Sequence, residues 1–263
     1  SRKERVRVRD QIGRALQQQQ MELYYQPKIC LRTRSVDGFE ALIRWNHPQE
    51  GVLGPAHFLE HIEYTEYART LGNFVIQEAV KRLMEFAQQD LPYTLSINLS
   101  PSHFLSQQFR DDISGALEGY PRELRSHLIL EILETTAMDG TETVLRNLKA
   151  CRELGVDISL DDFGTGYSSL DYFRRLPAQE IKIDRSFVMD MLDSVDDSMI
   201  VSAIVSLSKS FKRRLVAEGI ESADVERKLI ELGCDIGQGF FYSKPLPLSQ
   251  ALRWAEDFGG KTE

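Results

Sequence analysis

The sequence is short of cysteine, long apolar runs and basic residues, and each shortage excludes a class of protein. The three cysteines, Cys30, Cys151 and Cys234, are scattered without CxxC spacing. That excludes a disulfide framework and predicts reduced, buried thiols in a cytoplasmic protein, or in the cytoplasmic portion of a membrane-anchored one. No stretch approaches a membrane span, and no signal peptide is visible. A net charge of −8 argues against a duplex nucleic-acid partner, which selects a basic face. An anionic ligand stays open only where metal ions neutralise the site locally.

What is present is ordinary globular material. With 42% hydrophobic and 27% charged residues, the chain avoids the composition of disorder. Its 263 residues suffice for one α/β barrel or for two ordinary domains. It begins at Ser1 rather than methionine, so a domain cut from a longer protein is expected.

Residues 1–20 read as a polar helix with Val8, Ile12 and Leu16 at i, i+4 spacing, expected to link an upstream domain to a barrel at 21–263. Strand-like runs follow at Met21–Ile29, stopped by Pro27, and at Val36–His47. Helical text covers Pro55–Glu63 and Gly72–Gln89, and a strand is predicted at Tyr93–Ser100. A helix at Gln107–Glu118, a strand at His127–Leu133 and a helix through Cys151 come next. Strands are then expected at Gly155–Leu160, Glu180–Arg185, Arg214–Ile220 and Asp235–Phe241. Helices at Asp193–Lys209, Ala223–Leu232 and Leu248–Phe258 separate or follow the later ones. Eight strands alternating with helices predict an α/β fold of the TIM (β/α)8 barrel type, with a doubly wound open sheet as the alternative.

In such a barrel the C-terminal strand ends converge on one mouth. From the second strand to the eighth, these ends offer Glu40, Asn98, Glu131, Asp161 with Asp162, Lys182, Glu218 and Gln238. Solvated turns place polar residues after strands, whereas Glu40, Glu131 and Lys182 lie within apolar runs. Adjacent carboxylates such as Asp161 and Asp162 repel unless a cation sits between them. The donors are nearly all oxygens, which select Mg²⁺, Mn²⁺ or Ca²⁺ over Zn²⁺. Five carboxylates exceed the usual protein share of one Mg²⁺ and suit a pair of ions roughly 3.5–4 Å apart, the spacing used for displacement at phosphorus. Lys182 would orient or deprotonate a water, stabilise a phosphoryl oxygen, or merely balance the acids.

The run Glu40-Ala41-Leu42, with Arg44 after it, resembles the signature of the EAL-domain phosphodiesterases of cyclic di-GMP. Further family motifs recur in order: Tyr25–Pro27, Ile97–Ser100, Leu130–Glu134, Asp161–Leu170, Lys182–Val188, Ala217–Glu221 and Gln238–Pro245. The resemblance covers Tyr25 to Leu252. It implies a modified TIM barrel with its first strand antiparallel, two Mg²⁺ or Mn²⁺ ions, and hydrolysis of cyclic di-GMP to linear pGpG. A receptor that binds the dinucleotide with little turnover is the alternative.

By position, the resemblance makes Glu40, Asn98, Glu131 and Asp161 ligands of a first metal. Asp161 bridges to a second, held also by Asp162 and Glu218. It places Lys182, Glu218 and Glu40 in the catalytic set, and Glu134 as anchor of the loop that starts at Asp162. Glu221 supports the site. Gln26, Leu42, Arg44, Asp184, Gln238 and Pro245 fall at substrate-binding positions. A homodimer and an upstream sensory or GGDEF-type domain are the partners it implies. Two departures stand out: Leu133 replaces a usual threonine, and Tyr64–Tyr67 replaces an ETG-type run. Neither removes a metal ligand.

Other signals carry less. His57 and His61, four apart, have no third ligand nearby and read as surface or core histidines. Gly164-Thr165-Gly166 lacks the third glycine of a dinucleotide fingerprint. Ser168 and Ser169 read as caps of the following helix, and Phe240, Phe241 and Tyr242 as barrel packing with one of them near a base.

Overall fold

The structure, a computed structural model, describes residues 2–165 and 170–259, so the expected caps Ser168 and Ser169 lie outside the described residues. Among the described residues, nine strands form one sheet: β1 Met21–Cys30, β2 Ser35–His47, β3 Gly51–Leu53, β4 Thr94–Asn98, β5 Leu128–Leu133, β6 Asp157–Phe163, β7 Glu180–Ile183, β8 Arg214–Ala217 and β9 Ile236–Gly237. Their order is β1-β9-β8-β7-β6-β5-β4-β2-β3, and β1 also pairs with β2. Eight strands therefore close into a barrel, and β3 is a hairpin arm on β2 alone. β1 runs antiparallel to both neighbours, β2 and β9, while the barrel pairs from β2–β4 round to β8–β9 are parallel. This is the modified TIM barrel with an antiparallel first strand, and an open doubly wound sheet is excluded by the β1–β2 closure.

Strands buried on both faces read as continuous apolar runs. Leu128–Ile132 and all of Glu180–Ile183 are buried, and the bonds of Lys182 to Glu131 and to Glu40 turn the Glu131 and Lys182 side chains to the barrel axis. Below the mouth a second ionic layer crosses that axis. The fully buried Lys28 donates to Ser96 Oγ at 2.6 Å and lies 3.9 Å from Glu180, which Arg214 meets at 2.8 Å. A buried cation is tolerated only with such partners.

Several boundaries differ from the sequence reading. The helix expected from Gly72 starts at Glu66 and runs to Gln88, while Pro55–Glu63 contains only a 3-10 turn at Pro55–His57 and a short helix, Leu59–Ile62. The strand expected over Asp235–Phe241 is only Ile236–Gly237, and that expected to Ile220 stops at Ala217, leaving Gln238 and Glu218 just beyond strand ends. Conversely Asp161 and Asp162 lie inside β6 rather than after it. The first helix spans Arg2–Gln17, and Ile12 and Ala15 are fully buried in the common core. No described helix is long and apolar enough to cross a membrane.

Candidate active site

The site is built at the barrel mouth around one ammonium. Lys182 Nζ, from β7, lies 2.7 Å from Glu131, 2.7 Å from Glu218, 3.3 Å from Glu40 and 3.5 Å from Asp161. Those acids come from β5, the end of β8, β2 and β6, so barrel closure is what gathers them. Register explains the convergence: Asn98 pairs with Glu131, and Leu133 with Asp161, at successive strand ends. Asn98 Nδ2 donates to Glu40 Oε1 at 2.7 Å, and Gln238 Nε2 donates to Glu40 Oε2 at 2.6 Å and to Gln26 Oε1 at 3.0 Å. Gln26 Nε2 in turn donates to Ser243 O at 3.1 Å.

The protonation pattern follows from this crowding. Burial alone would raise the Glu40 carboxyl, but the Lys182 charge and hydrogen bonds from Gln238 and Asn98 hold it down at about 2. Burial, and then the charge of Glu40, push Glu131 well above the carboxylate range. Burial and the Asp161 charge raise Asp162 to about 6, and burial raises Glu218 to about 7 against the pull of Lys182. Burial opposes the charge on Lys182, yet Glu131, Glu218, Glu40 and Asp161 together keep its pKa well above normal. One ammonium cannot neutralise four carboxylates, and the upward shifts of Glu131 and Glu218 reflect burial and that excess of acid.

The residues fit hard divalent cations. Asp161, Asp162 and Glu218 bring one oxygen each within 4.8 Å of one another, the one such group of metal-capable side chains among the described residues. The Oε1 of Glu131 is buried with no hydrogen-bond partner among the described residues, a costly state for an oxygen unless something else contacts it. Lys182 joins this trio to the other two acids, since it lies 2.7 Å from Glu218 and is hydrogen-bonded to Glu40 and Glu131.

The β6 end is locally irregular, and the irregularity aims the acid pair. Pairing of β6 with β7 shifts register between Leu160 and Phe163. Asp162 takes a left-handed φ of 54°, rare for a non-glycine residue. Gly164 has φ 101°, donates its N–H to Glu134 Oε2 at 3.0 Å, and would press any Cβ to 3.0 Å from Ile204. Strain at such a site is held by its surroundings.

Two cavities meet at Glu40 and Leu42. One, of about 600 Å³, is lined by Gln26, Asp184, Arg185, Met189, Glu218, Glu221, Gln238 and Phe240 among others. The other, of about 400 Å³, is mostly apolar and lined by Leu59, Ile62, Glu63, Leu71, Val75, Asn98 and Ser100 among others. Asp184 caps the helix Arg185–Asp190 by accepting from Ser186 N at 2.9 Å. Glu221 is exposed. Arg44 is half-buried, 5.5 Å over the Tyr24 ring, and lines neither of these cavities. Pro245 precedes Leu246, whose backbone pairs with Tyr25 beside Gln26.

The aromatics after Gly239 are placed otherwise than expected. Phe240 and Phe241 are 59% and 38% exposed rather than buried; Tyr242 packs edge-on to Phe241 and Phe258, with its hydroxyl donating to Glu226. His57 is exposed and His61 sits 3.7 Å from Glu60; neither joins a metal-capable group among the described residues. Sequence reasoning missed Glu63, whose carboxylate accepts from Ser100 and Ser102.

Comparison with known proteins agrees with this geometry. The family model described as EAL domain matches residues 9–245. The chain is 39% identical over 252 residues to the bifunctional diguanylate cyclase/cyclic di-GMP phosphodiesterase MucR of Pseudomonas aeruginosa, covering 95% of this chain and 36% of MucR. It is 36% identical over 236 residues to the cyclic di-GMP phosphodiesterase RocR of the same organism, covering 90% of this chain and 60% of RocR. The chain thus spans less than two thirds of either relative. The solved structure of the PaMucR phosphodiesterase in complex with c-di-GMP superposes with a TM-score of 0.88 at 38% identity, covering 93% of this chain and 99% of that one.

Proposed function

The chain belongs to the EAL domain family, and on that premise we propose that it hydrolyses one phosphodiester of cyclic di-GMP to give linear pGpG. The observation that carries the reading is the ring of four carboxylates from four strands around Lys182 Nζ. Two cavities joined at Glu40 and Leu42 suit a ligand with two bases and a phosphate between them.

Glu40, Asn98, Glu131 and Asp161 would hold one Mg²⁺ or Mn²⁺, and Asp161, Asp162 and Glu218 the other. Such ions, when bound, supply a water of lowered pKa and neutralise phosphate charge. The chain's own groups divide the remaining work. Lys182 retains its proton, so it serves as a donor that orients the attacking water or a phosphoryl oxygen. Glu218, beside that second ion, is assigned to take the proton that the attacking water gives up. Water adds to phosphorus, the P–O3′ bond breaks, and the freed 3′-oxygen takes up a proton. Gln238, itself bonded to Gln26, fixes the Glu40 oxygen that Asn98 does not hold. Leu42, Arg44, Asp184 and Pro245 are assigned to the substrate, Glu134 to the loop after β6, and Glu221 to support of the cavity wall.

A homodimer and an upstream sensory or GGDEF-type domain complete the proposal. Leu192, Val195 and Met199, 49%, 76% and 65% exposed, offer an apolar face for a second copy. Chromatography of cyclic di-GMP incubated with and without Mn²⁺ tests the activity. Metal-dependent pGpG is expected. Dinucleotide bound but intact under every metal would make the protein a receptor, and no binding would end the reading.

A further inference from the structure

We infer that Glu63, outside the ring of acids around Lys182, is a positioning residue that fixes the turn carrying Asn98. The inference rests on the metal-dependent reading above. Strand β4 ends at Asn98, where its pairing with β5 also ends. Beyond it the ladder continues through a single bond, Leu99 N to Glu131 O at 3.0 Å. A side chain on so short a support needs other restraints to hold a metal-binding geometry.

Glu63 supplies them from a different part of the chain. Its carboxylate accepts Ser100 Oγ at 3.0 and 2.8 Å and Ser102 N at 2.8 Å. Ser100 Oγ, so held, accepts from His103 N at 3.4 Å, and Ser102 Oγ accepts from Tyr64 N at 3.3 Å. The next residue is fixed too, since His103 Nε2 lies 3.0 Å from Asp112 and its ring is buried against Gly72. The turn at Ser100–His103 is therefore clamped on both sides, and Asn98, two residues upstream, is left to donate to Glu40 at 2.7 Å.

The clamp has a handle on the first helix. Arg9 Nε donates to His61 O at 2.8 Å, and Gly13 packs so closely on Tyr67 that a Cβ would fall 2.9 Å from its ring. Glu63 lies between these contacts, in the Ile62–Thr65 break between two helices, where Tyr64 has φ 61°. A charged side chain there, half-buried and bonded to the Asn98 turn, joins the first helix to one wall of the site.

The test compares Glu63→Ala, Glu63→Gln and Ser100→Ala in the full chain, using Mn²⁺ titration followed by electron paramagnetic resonance and, separately, kcat and KM. Loss of a group that orients a metal ligand typically costs about 10–100-fold in metal affinity or activity. Glu63→Ala is expected to weaken Mn²⁺ binding about tenfold and to lower kcat, with circular dichroism unchanged. Glu63→Gln keeps an acceptor for Ser102 N and should recover most of the loss; Ser100→Ala should show the same defect in weaker form. Mn²⁺ affinity equal to wild type in Glu63→Ala, with only KM raised, would make Glu63 a substrate contact and overturn the inference. So would equal defects in Glu63→Ala and Glu63→Gln. Should Glu63→Ala fail to fold, wild-type Mn²⁺ affinity in Ser100→Ala overturns it. The Mn²⁺ titration needs no substrate, so wild-type protein that binds Mn²⁺ but leaves cyclic di-GMP intact would sink the phosphodiesterase reading and leave the clamp standing.

Discussion

At the scale of single residues, Lys182 holds a charge where the barrel axis would otherwise exclude it, and four acids keep that charge in place. Removing it leaves those acids facing one another without a cation, and removes the donor assigned to the attacked phosphate. Lys182→Ala should therefore lose about 10²–10⁴-fold in kcat while circular dichroism and the elution volume stay those of wild type; undiminished turnover would refute the role. Protonation gives a second handle. Asp162 and Glu218 have folded values of about 6 and about 7, above their ordinary 3.8 and 4.5. A raised carboxyl contributes stability that is full below its unfolded value and lost as pH rises through the folded one. Metal-free protein should thus lose this contribution between about pH 4 and 7. Bound cations require the same groups deprotonated, so the rise in Tm caused by Mn²⁺ is expected to be larger at about pH 8 than at about pH 6. A larger rise at the lower pH would contradict the assignment of these two acids.

Much of the site was legible at this scale, because a charge inside an apolar strand has few places to go. Glu40, Glu131 and Lys182 announced an inward polar cavity in that way, and all three are buried there. The contacts among them were not legible. That Lys182 would sit among the acids, or that Glu63 would hold the Asn98 turn, depends on side-chain distances across 142 and 37 positions of sequence separation, which no local pattern records.

At the scale of elements, the short pieces were the hard ones. The run Asp235–Phe241 is apolar enough to look like a strand, yet Gly239 ends it: a Cβ there would lie 2.1 Å from Ile220 O and 2.4 Å from Ile220 N. The chain turns at this contact and delivers Gln238 to Glu40. Gly239→Ala must push the two backbones apart, so reduced kcat with Gln238 displaced in a crystal structure is expected; a wild-type kcat would show that this contact does not place Gln238. The three-residue β3 was invisible because it is too short to show alternation. The first helix was legible as a helix but not as part of the core, since its polar composition hid the burial of Ile12 and Ala15. Ile12→Ala should cost about 2–5 kcal/mol in urea denaturation. A change within about 0.5 kcal/mol would mean that this helix is a free linker.

At the scale of the whole molecule, closure is the decisive property. The antiparallel β1 joins β2 to β9, and only then do donors from β2, β4, β5, β6 and β8 face one another across a single mouth. The alternation of strands and helices made a barrel legible; the reversed first strand came from resemblance alone, since periodicity carries no strand direction. The proposed homodimer draws on the exposed Leu192, Val195 and Met199. Met199→Glu should shift sedimentation from dimer toward monomer; a wild-type protein that sediments as a monomer at all concentrations would remove the dimer. The central claim, that oxygens from separate strands hold paired hard cations beside Lys182, is tested most directly by anomalous scattering from crystals grown with Mn²⁺. Two peaks are predicted at the mouth, roughly 3.5–4 Å apart, with Asp161 between them. Manganese absent from the mouth, or bound only elsewhere on the surface, would contradict it.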